Sequence, residues 1–282
     1  MERMGDTGPI SDSGTGGQHR PDLSLRRGHR SSGRIRCRSV LHRRLAWNHF
    51  NAGGHSAARS SGHAAKNRPG FRRRRPVMNS DPKRDFFDGI AAKWDGWVKP
   101  DVLGAALRRG LERFNVGPNE TVIDLGCGTG NLTQALLVRL SDHGRVIAVD
   151  FSPRMLDEAR RKVRDPRVEW INAAAKSLPL DDASADRIIC FSAWPHFSSP
   201  HDVTLEMRRA LKPGGLLHVW HTESRETINA IHAGAGEAIR QDLLAPATEL
   251  AQLLEGCGFE VLAAEEDDAH YLVAARKPGE KK

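Results

Sequence analysis

From about residue 84 onward the chain switches between two hydrophobic rhythms, and the switches set out its elements. Short apolar runs near 121–125, 146–150, 168–172, 187–191 and 216–220 have the length and composition of strands. Between them, 130–140, 153–163 and 202–211 repeat apolar residues at helical spacing. Breakers join the two kinds of segment: Asp142-His143-Gly144, Asp165-Pro166 and Lys212-Pro213-Gly214-Gly215. Residues 84–114 read as two helices, the first with Phe86, Phe87, Ile90 and Trp94 on one stripe, the second with Val102, Leu103, Leu107 and Leu111. After 220 come two more helical stretches, 224–241 and 247–256, and then a closing pair of strands, 259–265 and 270–276. Alternating strands and helices predict an α/β, doubly wound, Rossmann-like fold. The five strands and the closing pair make a mostly parallel seven-stranded sheet with an antiparallel last strand.

Chemistry concentrates where the first strand meets its helix. TVIDLGCGTG, residues 121–130, ends an apolar strand in three glycines at alternate positions, and a helical run starts at Asn131. Glycine tolerates positive φ and lets backbone approach a ligand, and a helix start offers unpaired N–H groups. Such turns lie on the carboxyl edge of open α/β sheets, where ligands bind. About twenty residues on, the strand RVIAVD ends in Asp150, placed to accept hydrogen bonds from ribose hydroxyls. The glycine pattern is G-x-G-x-G, not the G-x-G-x-x-G of a dinucleotide site.

Several ordered blocks together resemble the class I S-adenosylmethionine-dependent methyltransferases, most of all the small-molecule branch that includes the quinone-biosynthesis enzymes. They are FFDGIAAKWD at 86–95, VIDLGCGTGNLT at 122–133, VIAVDFSPRML at 146–156, SLPLDDASADRIIC at 177–190 and LKPGGLL at 211–217. The resemblance covers about 83–277 and implies S-adenosyl-L-methionine as cofactor. It also implies roles: Asp124 beneath the loop, holding the methionine end; Gly126, Cys127 and Gly128 in backbone contact with it; Asp150 on the ribose; Phe151 and Met155 packed on the adenine. Ala174 stands where the family often has an Asp, so the adenine would be held by backbone and packing at Ala174 and Ala175.

Composition changes the picture mainly at the N-terminus. The formal net charge is +8. Residues 1–77 hold 17 Lys or Arg against four acids, +13, and the remaining 26 basic and 31 acidic residues give −5. A mildly acidic body argues against nucleic acid as its substrate, because phosphate binding needs a basic surface. Rich in Arg, Gly and Ser and without sustained periodicity, 1–77 is expected to be a disordered basic extension, with the methyltransferase domain spanning 78–282. Three readings of it stand: a charged arm for nucleic acid or membrane surfaces, with RRRRP at 72–76; an organellar transit segment; or a start assigned upstream of Met78. No apolar run approaches the ~18 residues a membrane span needs, and the expected compartment is the cytoplasm. Cys37, Cys127, Cys190 and Cys257 are scattered without paired spacing, so neither a disulfide framework nor a zinc finger is expected.

Methyl transfer by direct displacement needs alignment above all, and a base only where the nucleophile must lose a proton. Candidates follow the fourth and fifth strands. FSAWPHF, residues 191–197, offers His196 as a base and Trp194 and Phe197 as an apolar wall for a small-molecule substrate. HTESRETINAIH, residues 221–232, offers His221 as a second base, with Arg225 and His232 as substrate contacts. The histidines lack the tight spacing of a metal site, and no metal is expected. Two rivals remain. A sensor or scaffold could bind the cofactor without turnover. An NAD-dependent oxidoreductase is disfavoured by the lack of Tyr-x-x-x-Lys, since the single tyrosine, Tyr271, is followed by Leu272 and Val273.

Overall fold

The computed structural model describes residues 81–279; the extension expected over 1–77 lies outside the described residues. Chain order begins with α1 (Pro82–Ile90), a 3₁₀ segment (Ala91–Gly96) and α2 (Pro100–Arg113). Then come β1 (Thr121–Leu125), α3 (Asn131–Arg139), β2 (Arg145–Asp150), α4 (Pro153–Lys162), β3 (Val168–Asn172) and β4 (Ala185–Phe191). A 3₁₀ turn (Trp194–His196) leads to α5 (Pro200–Ala210), β5 (Leu211–His221), α6 (Arg225–Ala233), α7 (Ala247–Gly256), β6 (Glu260–Glu266) and β7 (Tyr271–Arg276).

All seven strands form one sheet in the order β3-β2-β1-β4-β5-β7-β6. β1, β2, β3, β4 and β5 pair in parallel, and β7 inserts antiparallel between β5 and β6. The two-residue side-chain period of a strand divides the core. Ile123 and Leu125 of β1 point into one apolar cluster, with Val149 and Ile188; Val122 points into the other, with Ala148 and Ile189. Asp124 shares the second face, buried at 1% exposure, and its Oδ2 accepts from Thr133 Oγ1 of α3 at 2.6 Å. Packing on that face is close: a Cβ at Gly110 of α2 would overlap the indole of Trp220 on β5. At the amino edge Arg187 is buried and forks onto Glu120, with Nε 2.6 Å and Nη2 2.8 Å from its carboxylate oxygens.

Three expectations need correction. The helix read over 224–241 ends at Ala233, because Gly234 and Gly236 break the run and 236–242 coils back in turns. The two helices over 84–114 are three pieces: α1 tightens into the 3₁₀ segment at Ala91 before α2 starts at Pro100. The turn expected at 212–215 lies inside β5, as an irregularity that carries the pairing from Ala185↔Leu211 to Arg187↔Leu216, with Gly214 at φ 81°. Among the described residues no helix is long and apolar enough to cross a membrane.

Candidate functional site

The strand order reverses between β1 and β4, and a cleft opens there at the carboxyl ends of β1, β2 and β4, the place where open α/β sheets receive ligands. Its floor is the glycine loop. Gly126 has φ 78°, and a Cβ on it would collide with the Cβ of Ala193 on the β4 side. Gly128 has φ 52°, lines the cleft and meets nothing within 4 Å at its Cβ position, so its bare surface is open to a ligand. The amides of Gly126 and Cys127 both donate to the Val149 carbonyl, at 2.8 and 2.9 Å, and that of Gly128 donates to Asp150 Oδ2 at 2.8 Å. Three N–H groups of the loop are thus engaged by the protein. None of the three is free for a pyrophosphate, which seeks unpaired amides, and Gly128 offers bare Cα surface to the cleft.

Asp150 ends β2 at the cleft wall, and its Oδ1 accepts from Ser152 N at 2.9 Å. Burial pushes its carboxyl up to about 6, against the hydrogen bonds from the Ser152 and Gly128 amides. Each oxygen accepts one amide, so the carboxylate keeps lone pairs for two hydroxyls. Burial also raises Asp124, to about 7, against the Thr133 hydroxyl. Asp124 and Cys127 do not line the cleft; the Cys127 thiol, pushed up by burial, stays protonated beside the Gly128 carbonyl. Phe151 and Met155 line the wall beside Asp150, and Ala174 and Ala175 line the side beyond β3. Phe87 and Trp94 cover the cleft from the N-terminal segment, with Phe87 packed edge-on to Phe151.

That N-terminal segment is anchored by side chains that sequence reading missed. Asp88 of α1 accepts from Ser152 Oγ at 2.5 Å and Arg154 N at 3.2 Å, where α4 begins. Asp95 accepts from Thr129 Oγ1 at 2.6 Å, Asn131 Nδ2 at 2.9 Å and Lys162 Nζ at 2.7 Å, fastening the 3₁₀ segment to the glycine loop and α4. Lys83, near the start of α1, reaches Asp242 at 2.6 Å and the His196 carbonyl at 3.2 Å. None of these partners is near in sequence, and periodicity has no signal for such pairs.

The predicted acceptor-side residues separate into groups. His196 and Phe197 line the cleft. His196 Nδ1 lies 2.9 Å from Asp242 Oδ2, and its ring meets Phe87 edge-on at 4.9 Å and His232 at 4.8 Å. His232 is buried and bonds through Nδ1 to the Asp242 backbone carbonyl. His221 lies at 1% exposure away from the cleft lining, and neither ring nitrogen has a hydrogen-bond partner among the described residues. Burial, then the charges of His196 and His232, push it down to about 3, so it is neutral at pH 7. Trp194 faces an adjoining cavity that shares Lys83, Phe197 and Ser198 with the cleft. Arg225 is remote from both, paired with Glu226 at 2.7 Å and Glu266 at 3.2 Å. Among the described residues no three His, Cys, Asp or Glu side chains gather as metal ligands would.

The central part of the chain is similar to known proteins. Residues 122–215, from β1 into β5, match the family described as "Methyltransferase domain". The chain is 31% identical over 159 residues to a ubiquinone/menaquinone biosynthesis C-methyltransferase of Enterobacter sp. (strain 638), covering 53% of this chain and 62% of that one. A similar protein of Vibrio campbellii is 33% identical over 144 residues, with 48% and 55% covered. The chain therefore spans less than two thirds of the length of these relatives. Among solved structures, a S-adenosylmethionine-dependent methyltransferase from Aquifex aeolicus superposes with TM-score 0.56 at 23% identity, over 67% of this chain and 98% of that one. A chain from the complex of the Haloferax volcanii Trm112 methyltransferase activator with a methyltransferase gives TM-score 0.59 at 23% identity, over 71% and 99%.

Proposed function

We propose that the chain is a class I S-adenosylmethionine-dependent methyltransferase, as the match to a methyltransferase domain over 122–215 and the quinone-biosynthesis relatives support, and that it methylates a small-molecule acceptor held between the glycine loop and His196. The observation that carries this reading is the loop's polarity. With three of its amides engaged internally, it presents bare Cα surface at Gly128, beside a carboxylate with lone pairs to spare and under aromatic rings. Those features fit a cationic nucleoside: aromatic rings tolerate a sulfonium, Asp150 accepts from a ribose, and Phe151 and Met155 offer an apolar wall to a base.

When bound, S-adenosylmethionine supplies a methyl group already activated on sulfur. The chain's own residues then have three tasks. Asp150, with Gly126 and Gly128, fixes the nucleoside. Phe87 and Trp94 exclude water from above. Phe197, His196 and the adjoining cavity orient the acceptor, because alignment is the main source of rate in a displacement of this kind. Asp124 and Cys127 act through the loop's shape, being buried behind it.

The curated relatives are C-methyltransferases of ubiquinone and menaquinone biosynthesis, so carbon acceptors related to those compounds head the panel to be tried. Calorimetric titration with S-adenosylmethionine and with NADH separates this reading from an oxidoreductase. Release of S-adenosylhomocysteine over a panel of acceptors separates it from a sensor that binds without turnover. Binding of NADH in place of the sulfonium nucleoside would end the proposal.

A further inference from the structure

Three distant parts of the chain converge behind His196. Asp242, from the turns after α6, places Oδ2 2.9 Å from His196 Nδ1 and Oδ1 2.6 Å from Lys83 Nζ of α1. Lys83 also donates to the His196 carbonyl at 3.2 Å. His232 Nδ1 bonds the Asp242 backbone carbonyl. An ionised carboxylate can only accept, so His196 carries its proton on Nδ1 and leaves the Nε2 lone pair for the cleft that the residue lines. The Phe87 and His232 rings on either side, at 4.9 and 4.8 Å, hold the imidazole in place. Such an oriented, carboxylate-backed imidazole has no use in moving a methyl group to a nucleophile that has no proton to lose, such as a thioether or a tertiary amine.

Resting on the methyltransferase reading, we propose that Asp242 and Lys83 are positioning residues that set His196 as a general base, and that the acceptor is a hydroxyl or a carbon acid that must lose a proton as it takes the methyl group. In that step the acceptor's O–H or C–H bond breaks and its proton passes to His196 Nε2. The released electron pair forms the bond to the methyl carbon, and the pair of the broken methyl–sulfur bond stays on sulfur. The imidazolium so formed is neutralised by Asp242. Lys83 does the opposite: its charge disfavours imidazolium, and by sharing the carboxylate it keeps the base from being protonated too readily. Burial alone would raise the Asp242 carboxyl, but the hydrogen bonds from His196 and Lys83 outweigh it and hold it below its ordinary value. Other titratable groups near the ring are His232 of α6, held down by burial, His221 at the end of β5, and Asp81 on the cleft rim. Glu249 of α7 faces only the adjoining cavity.

The test is nitrogen-15 histidine NMR on the full chain, with the His196 signals assigned through His196→Gln. The wild-type spectrum at neutral pH should show an Nδ1-protonated tautomer. Asp242→Asn should move the His196 titration down, because an adjacent opposite charge is removed, and Lys83→Gln should move it up, because a like charge is removed. Midpoints that move in the same direction or stay still, or an Nε2-protonated tautomer in the wild type, would overturn the proposal. Lys83→Gln changes a partly exposed side chain and keeps the test available if Asp242→Asn fails to fold. Calorimetry with S-adenosylmethionine on the same samples separates the two claims: no binding by the wild type refutes the methyltransferase reading, whatever the histidine does.

Discussion

Replacing Gly126 by Ala tests the glycine loop more sharply than removing any charged group. Its φ of 78° is left-handed, which costs a non-glycine residue about 1–2 kcal/mol. The added methyl would also overlap the Cβ of Ala193, and overpacking a filled site costs about 1–3 kcal/mol. The two together give about 2–5 kcal/mol, or a fall in melting temperature of roughly 5–20 °C for a domain of this size. Gly128→Ala is the control. Its φ is 52° and its Cβ position is open, so only the backbone cost remains, and the folded protein should lose about 1–2 kcal/mol. The Gly128 methyl would instead project into the cleft, and affinity for S-adenosylmethionine should fall about tenfold, or ~1.4 kcal/mol. Urea unfolding of Gly126→Ala, Ala193→Gly and the double variant completes a cycle in which Ala193→Gly should recover the overlap part of the loss and leave the φ part. Equal stability losses at Gly126 and Gly128, or no recovery in the double variant, would refute the assignment of one glycine to packing and the other to ligand contact.

Further outcomes concern Asp150, Glu120 and the N-terminal segment. Asp150→Ala should weaken S-adenosylmethionine binding by about 1–3 kcal/mol in calorimetry, the range for orphaned hydrogen-bonded groups, and wild-type affinity should rise as pH passes upward through about 6, where Asp150 ionises. The sign for folding is opposite: a carboxyl raised from its unfolded ~3.9 to about 6 stabilises the fold fully below ~4 and loses that contribution by about 6. The ligand-free wild type should therefore lose stability relative to Asp150→Asn between those pH values in denaturant titrations. Glu120→Gln strips the charge partner from buried Arg187 and should cost about 3–5 kcal/mol, toward the low end because Arg187 also donates to the Phe114 and Asn115 carbonyls. A chain lacking residues 1–77 should keep the melting temperature and cofactor affinity of the full chain; loss of either would count against a domain beginning at 78.

What could be read from the sequence was what depends on local rhythm. The strands ending at Leu125 and Asp150 were visible because apolar runs bounded by glycine or an acid have few other interpretations, and the mostly parallel sheet, though not its strand order, followed from their alternation with helices. The helix over 224–241 was overdrawn because Ile228, Ile231 and Ile239 keep an apolar spacing across Gly234 and Gly236, although the backbone turns there. The 212–215 segment looked like a turn because Pro and Gly mark turns; pairing with β4 keeps it in the strand despite them. His196 could be singled out as a cleft residue from its place after a strand, but not its partner: Asp242 is 46 residues away and joins it only because the chain reverses after α6. The Asp88 and Asp95 anchors were hidden for the same reason, with every partner at least 34 residues distant.

The outer edge of the sheet has a bearing on handling the protein. β6 is the last strand beyond β7, and among the described residues one side of its backbone has no strand beside it; such borders invite another polypeptide to add on. Three of its seven residues are glutamates, Glu260, Glu265 and Glu266, matched to Arg276, Arg113 and Arg225. A second copy adding edge to edge would have to desolvate these ion pairs, which keeps the border blunt. Acidic buffers would protonate the glutamates and leave the three arginines uncancelled, so edge-to-edge self-association at the β6 border, followed by light scattering, should weaken as the pH falls.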